Sequence, residues 1–123
     1  MSDLIDRVAT ASGLDPATAE QAVGKILAFL QKEGPTEDVA RVLAAIPGAT
    51  DLAAAHQGGG AGGLMGMLGG GLMGLAGQLS GLGLGMGEMQ AVGHEIFTIA
   101  REQAGEDAVG EIAAAIPGLS QFI

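Results

Sequence analysis

Asp15-Pro16-Ala17-Thr18-Ala19-Glu20-Gln21-Ala22-Val23-Gly24-Lys25-Ile26-Leu27-Ala28-Phe29-Leu30-Gln31-Lys32-Glu33-Gly34-Pro35 is the stretch whose reading decides the fold. Ala19, Ala22, Val23, Ile26, Leu27 and Leu30 recur at helical spacing, so one face of this segment is apolar. Asp15 stands where an N-cap belongs, Pro16 fits the first helical position, and Gly34-Pro35 stops the helix. Upstream, Leu4, Ile5, Val8 and Ala11 mark a shorter helix from Asp3 to Ser12, with Gly13 as its stop and Asp3 and Arg7 placed to pair at i,i+4. Downstream, Thr36 is a cap candidate, and Glu37 and Asp38 favour the helix dipole. Glu37 and Arg41 form an i,i+4 pair, and Val39, Val42, Leu43 and Ile46 give a buried face that ends at Pro47-Gly48.

The same plan recurs further along the chain. Ser12-Gly13-Leu14 returns as Ser80-Gly81-Leu82, and Ala22-Val23-Gly24 as Ala91-Val92-Gly93. Glu37-Asp38 returns as Glu106-Asp107, and Ala45-Ile46-Pro47-Gly48 as Ala115-Ile116-Pro117-Gly118, with offsets that run from 68 through 69 to 70. Ordered matches at a nearly constant offset read as a duplicated three-helix unit. The expected fold is all-α: a single domain with repeat 1 at about 3–50, a Gly-rich connector at 51–71, and repeat 2 at about 72–123. The second copy then carries helices at Leu72 to Leu79, Glu88 to Gln103 and Asp107 to Ala115. The recurring Ala-Ile-Pro-Gly is a helix stop on its simplest reading, and the alternative is that the two turns build one symmetric contact surface.

Composition narrows the function. The 123 residues carry 5 basic and 14 acidic side chains, a formal net charge of −9, no Cys, no Trp and no Tyr. With so few Lys and Arg, and those scattered, nucleic acid is not an expected partner. The lack of Cys excludes disulfides, thiol nucleophiles and thiolate metal sites. The acidic start of the chain lacks a basic region followed by an apolar run, so no secretory signal is read there and synthesis in the cytoplasm without export by that route is the expectation.

The stretch between Asp51 and Glu88 contains no charged residue, and half of the positions from Gly58 to Gly87 are glycine. Leu64, Leu68, Leu72, Leu75, Leu79, Leu82 and Met86 follow steps of 4, 4, 3, 4, 3 and 4, which predicts one unbroken helical stripe. Glycines at 66, 70 and 74 belong to a small-xxx-small series that permits close approach of another helix. Nine glycines between Leu64 and Met86 cost on the order of 9 kcal/mol of helix propensity, so packing or lipid must offset them. Fully helical, the run is ~35 Å long, near the ~30 Å of a hydrocarbon core, but it lacks Lys, Arg, Trp and Tyr anchors at its ends. The expected lipid or oligomer contacts are Leu64, Met65, Met67, Leu68, Leu72, Met73, Leu75, Leu79 and Leu82, with Gly66, Gly70 and Gly74 allowing close helix packing. The methionines suit irregular apolar surfaces, acyl chains included, and equally suit a core cut by glycine holes.

No motif for catalysis stands out. His94-Glu95, with Gln90 one turn before, offers too few converging ligands for a metal, and a surface histidine among acids is the simpler reading. Gly83-Leu84-Gly85-Met86-Gly87 lacks the Lys of a phosphate loop. No catalytic residue, metal or cofactor is expected, and Glu102, Glu106, Asp107 and Glu111 read as a solvated face.

Around Ser12-Gly13-Leu14, Ala22-Val23-Gly24 and Ala45-Ile46-Pro47-Gly48 the chain resembles small bacterial helical families of the VcgC/VcgE kind, in which a short helical unit ends in a Pro-Gly turn. That resemblance implies a bacterial source and an all-α fold, and it carries over no catalytic residue. In composition, a small acidic chain with a Gly/Leu/Met insertion is similar to lipid-capturing, self-assembling bacterial proteins of the PopA kind. The expectation is a non-enzymatic homo-oligomer that associates with lipid or a membrane surface through its Gly/Leu/Met segment. The alternative is a soluble monomeric or dimeric binding module, with a protein or small-molecule partner, in which 64–86 is the core helix between the repeats. A small enzyme using His94 and Glu95 is a third class.

Overall fold

The computed structural model describes residues 3–46, 48–56 and 71–116. Among the described residues the fold is all-α, with seven helices and no strand: α1 Asp3–Ser12, α2 Pro16–Glu33, α3 Thr36–Ala45, α4 Ala49–His56, α5 Gly71–Gly81, α6 Met86–Ala104 and α7 Glu106–Ala115. The local signals act where the spacing puts them. Pro16 opens α2 with Asp15 in extended backbone before it, although the Asp15 side chain makes no capping bond. Thr36, expected as a cap, is instead the first residue of α3, and Pro35 takes the cap position. The Ile46 N–H donates to the Val42 carbonyl at 3.1 Å and the Ile116 N–H to the Ile112 carbonyl at 3.2 Å. Both isoleucines have extended backbone, φ −99° and −109°, as the proline that follows each of them requires.

Two expectations need correction. The connector expected from residue 51 begins with a helix: α4 packs on α2 more extensively than any other pair of elements and buries Ala49, Leu52 and Ala53. The unbroken stripe to Met86 also does not exist, because α5 ends at Gly81 and α6 starts at Met86. Between them Gly83 takes φ +95°, which a residue with a Cβ rarely adopts. The Gly83 N–H donates to the Ser80 carbonyl at 2.9 Å and the Leu84 N–H to the Leu79 carbonyl at 3.3 Å. That bond pair is a Schellman closure, with its usual apolar contact between Leu79 and Leu84, both buried. The glycine that ends α1 is Gly13, φ +74°. Its counterpart after α5 is therefore Gly83 and not Gly81, so the two Ser-Gly-Leu matches do not occupy the same place in the fold.

Buried positions instead lie 70 apart. Ala19, Ala22, Val23, Ile26, Leu27 and Leu30 of α2 stand 70 residues before Met89, Val92, Gly93, Ile96, Phe97 and Ala100 of α6, all twelve buried. Val39 and Val42 of α3 stand in the same relation to Val109 and Ile112 of α7.

The packing crosses between the two ends of the chain. α1 lies along α6, α5 lies on α2, and α3 meets α7. All of these elements contribute to a single core, and no polar or charged side chain is buried among the described residues. Gly34, between α2 and α3, sits at a tight junction. A Cβ there would stand 2.8 Å from the Leu30 carbonyl oxygen and 2.9 Å from Val39 Cγ2, with Ile112 of α7 at 3.7 Å. Gly110, exposed in the middle of α7, has nothing within 4 Å of such an atom. Gly34→Ala is expected to destabilise by about 1–3 kcal/mol through overpacking. Gly110→Ala is expected to stabilise by about 0.5–1 kcal/mol through helix propensity. Urea denaturation of the two variants beside the parent checks both signs.

Candidate functional site

The apolar segment is the candidate site, and the structure divides it. Leu75 and Leu79, spaced i,i+4 on α5, point into the chain's own core with 6% and 3% of their surface exposed. Leu82 is half-buried against that core, and Gly74 is half-buried on α5. Met89 is buried in α6, whereas Met86, at the start of that helix, is 62% exposed and is the one exposed large hydrophobic side chain among the described residues. Leu72 and Met73 belong to α5, but their side chains, like Leu64, Met65, Gly66, Met67, Leu68 and Gly70 altogether, lie outside the described residues. The fold therefore brings Leu75, Leu79 and Leu82 of the expected contact set to the chain's own core, α5 lying on α2. Among the described residues no helix is long and apolar enough to cross a membrane.

The polar feature of the surface is an ion cluster between α1 and α6. Arg7 places Nη1 at 2.9 Å from Glu102 Oε1 and Nη2 at 3.2 Å from Glu102 Oε2, a two-pronged contact. Its Nε lies 3.5 Å from Oε1 of Glu95. Glu95 and Glu102 are two turns apart and share one face of α6, so a single guanidinium spans both. The side chain of Asp3, the expected i,i+4 partner of Arg7, lies outside the described residues. In α3 the expected Glu37–Arg41 pair is replaced by Arg41 Nη1 at 3.8 Å from Asp38 Oδ1. Nothing in local spacing marks these choices, which depend on which helices lie side by side.

The hydrogen bond from Arg7 holds the Glu102 carboxyl below its ordinary 4.5, with the charge attraction adding to it and partial desolvation opposing. The same bond, and the nearby carboxylates, raise Arg7 against the opposing effect of desolvation. His94 is exposed on α6, with Gln90 exposed one turn before it. Among the described residues no group of three or more His, Cys, Asp or Glu side chains converges on a point where a metal ion could sit.

Compared with protein-family models, with curated proteins and with solved structures, the chain matches none.

Because the folded Glu102 value lies below the unfolded one, its contribution to stability is present above the unfolded value and is lost as pH falls through the folded one. Arg7→Gln is expected to lower the melting temperature slightly near neutrality and to leave it unchanged below about pH 3, so that the acid limb between about pH 5 and pH 3 is flatter than in the parent. Thermal unfolding followed by circular dichroism across that range, for parent and variant, measures it.

Proposed function

We propose that the protein is a non-enzymatic helical protein, built from two copies of one three-helix unit, that self-associates and engages lipid or a membrane surface through its Gly/Leu/Met segment. The 70-residue spacing of buried positions in α2 and α6 supports the duplication. Relationship to small bacterial helical families of the VcgC/VcgE kind is part of the same proposal, resting on the Ser12-Gly13-Leu14, Ala22-Val23-Gly24 and Ala45-Ile46-Pro47-Gly48 pattern.

The observation that carries the functional reading is the separation of charge from the apolar segment. The chain has net charge −9, yet no charged residue lies between Asp51 and Glu88. Copies of so acidic a chain repel one another over most of their surfaces, and approach is least opposed where charge is absent. Since Leu75 and Leu79 are committed to the core, the contact role falls on Leu64, Met65, Met67 and Leu68, and on Leu72 and Met73 at the start of α5. Gly66 and Gly70 in that stretch have no side chain to hold a second backbone away.

Burial of Leu75, Leu79 and Leu84 within one chain favours a second reading, a soluble monomeric or dimeric binding module whose apolar segment serves mainly as core.

Native mass spectrometry of the protein as isolated tests the first reading, with multimers that retain lipid as the expected result. Leu64→Asp with Leu68→Asp is expected to abolish both multimer and lipid while leaving the melting temperature close to that of the parent. Leu79→Ala is expected instead to lower stability by about 2–5 kcal/mol, as a buried leucine does. A lipid-free monomer for the parent overturns the first reading and leaves the second.

A further inference from the structure

We infer that the turn between α5 and α6, with Met86 at its exposed edge, is a contact point for an electroneutral lipid surface, one whose headgroups carry no net charge. The inference rests on the lipid association proposed above, and it names a residue that makes the contact and the class of lipid that receives it.

The two halves supply a comparison within the chain. Offset by 70 residues, the turn between α1 and α2 carries Gly13, Leu14, Asp15 and Pro16 where the turn between α5 and α6 carries Gly83, Leu84, Gly85 and Met86. The backbone takes the same course in both. Gly13 and Gly83 have φ +74° and +95°, and the Leu14 N–H returns to the Ala9 carbonyl at 3.1 Å as the Leu84 N–H returns to Leu79. In the first turn the exposed residues are Asp15 and Pro16, and Pro16 opens α2. The turn therefore has no structural need of an apolar side chain at that place. The second turn nevertheless puts Met86 there, with 62% of its surface open, and carries no charge from Leu82 to Gly87.

The second turn is also suited to leaving water. The Leu82 N–H donates to the Leu79 carbonyl at 3.0 Å, Gly83 and Leu84 close the turn as described, and the Gly85 N–H donates to Glu88 Oε1 at 2.6 Å. All four successive N–H groups thus have partners within the chain, which removes the main cost of bringing irregular backbone next to hydrocarbon. A Cβ placed on Gly81, Gly83 or Gly87 meets nothing within 4 Å, so the surroundings of Met86 are open.

Area and charge choose the occupant. A stable protein interface takes roughly 800 Å² from each partner, far more than one turn with one exposed apolar side chain presents. A protruding apolar residue enters the boundary between headgroups and acyl chains without a matching partner surface, and a thioether adapts to the irregular chains it meets there. The chain carries net charge −9 and the turn offers no cation, so an anionic surface repels the protein and an electroneutral one does not.

The lack of Trp and Tyr in the chain makes the test direct. Met86→Trp and His94→Trp each place one fluorophore at an exposed position of α6, the second two turns beyond the first. Addition of phosphatidylcholine vesicles is expected to shift the emission of the residue 86 probe to the blue and to leave the residue 94 probe unchanged. In vesicle flotation Met86→Ser is expected to bind about tenfold more weakly than the parent, as loss of one buried apolar side chain implies, with an unchanged melting temperature. Binding of the parent to phosphatidylcholine with no loss in Met86→Ser, or with equal shifts at 86 and 94, overturns the turn as the contact and leaves lipid association through residues 64–73. A blue shift at 86 that follows protein concentration without vesicles assigns the turn to a second copy and overturns the inference. Binding only to vesicles containing phosphatidylglycerol overturns the lipid class, and a parent that binds neither kind overturns lipid association as a whole.

Discussion

The structure depends on packing that crosses between the halves: the long helix of each half receives the first helix of the other, α2 being covered by α4 of its own half as well. α6 receives α1, and α2 receives α5. Direct contact between α2 and α6 is limited by comparison, so the core is closed by the crossing of short helices over long ones. With only three aromatic residues in the chain, the core is filled by Ala, Val, Leu and Ile, whose modest volumes fit closely spaced helices. Phe97, fully buried in α6, is the largest side chain in it. A core of this kind tolerates no polar intrusion, and the described residues place every ionisable group outside it.

The ion cluster at Arg7 has a different place in this arrangement. It bridges α1 and α6, the same pair that the apolar core already joins, and its strongest contact, Arg7 to Glu102, lies at the surface while Glu95 is half-buried. Exposed pairs of this type contribute on the order of 0–1 kcal/mol, so the apolar contact and not the ion pair fixes where α1 lies. A guanidinium that reaches two carboxylates two turns apart on α6 is a contact that this placement of α1 along α6 makes possible.

Most helix limits were legible because their signals are local. Pro16 and Gly34 bound α2, and Gly105 with Glu106 and Asp107 marks the step from α6 to α7. The all-α architecture follows from those signals together with the 3.6-residue period. α4 escaped because Ala49 to His56 offers mostly alanines and one leucine, too weak a stripe to register, and it is held by its docking on α2. The break before Met86 escaped for the opposite reason. Leu82, Leu84 and Met86 continue an apolar pattern straight through a turn, and only the positive φ of Gly83 reveals that the chain reverses there. Of the candidate site, composition exposed the charge-free segment. It did not reveal that Leu75 and Leu79 belong to the core, because burial within a chain and burial between chains select the same residues. The partners of Arg7 lie 88 and 95 positions away, beyond any local rule.

The energetics of α5 tie these points together. Gly74 and Gly77 lie inside the helix, and each costs about 1 kcal/mol relative to alanine, while Gly71 and Gly81 at its ends cost less. Burying Leu75 and Leu79 contributes about 1.5–3 kcal/mol each, which is enough to offset the interior glycines and to leave a small surplus. That surplus exists only where α2 supplies the opposing surface, so the helicity of α5 is conditional on a partner helix and not intrinsic to its sequence. The glycine content that makes α5 a weak helix by itself thus makes its structure a property of the assembled core.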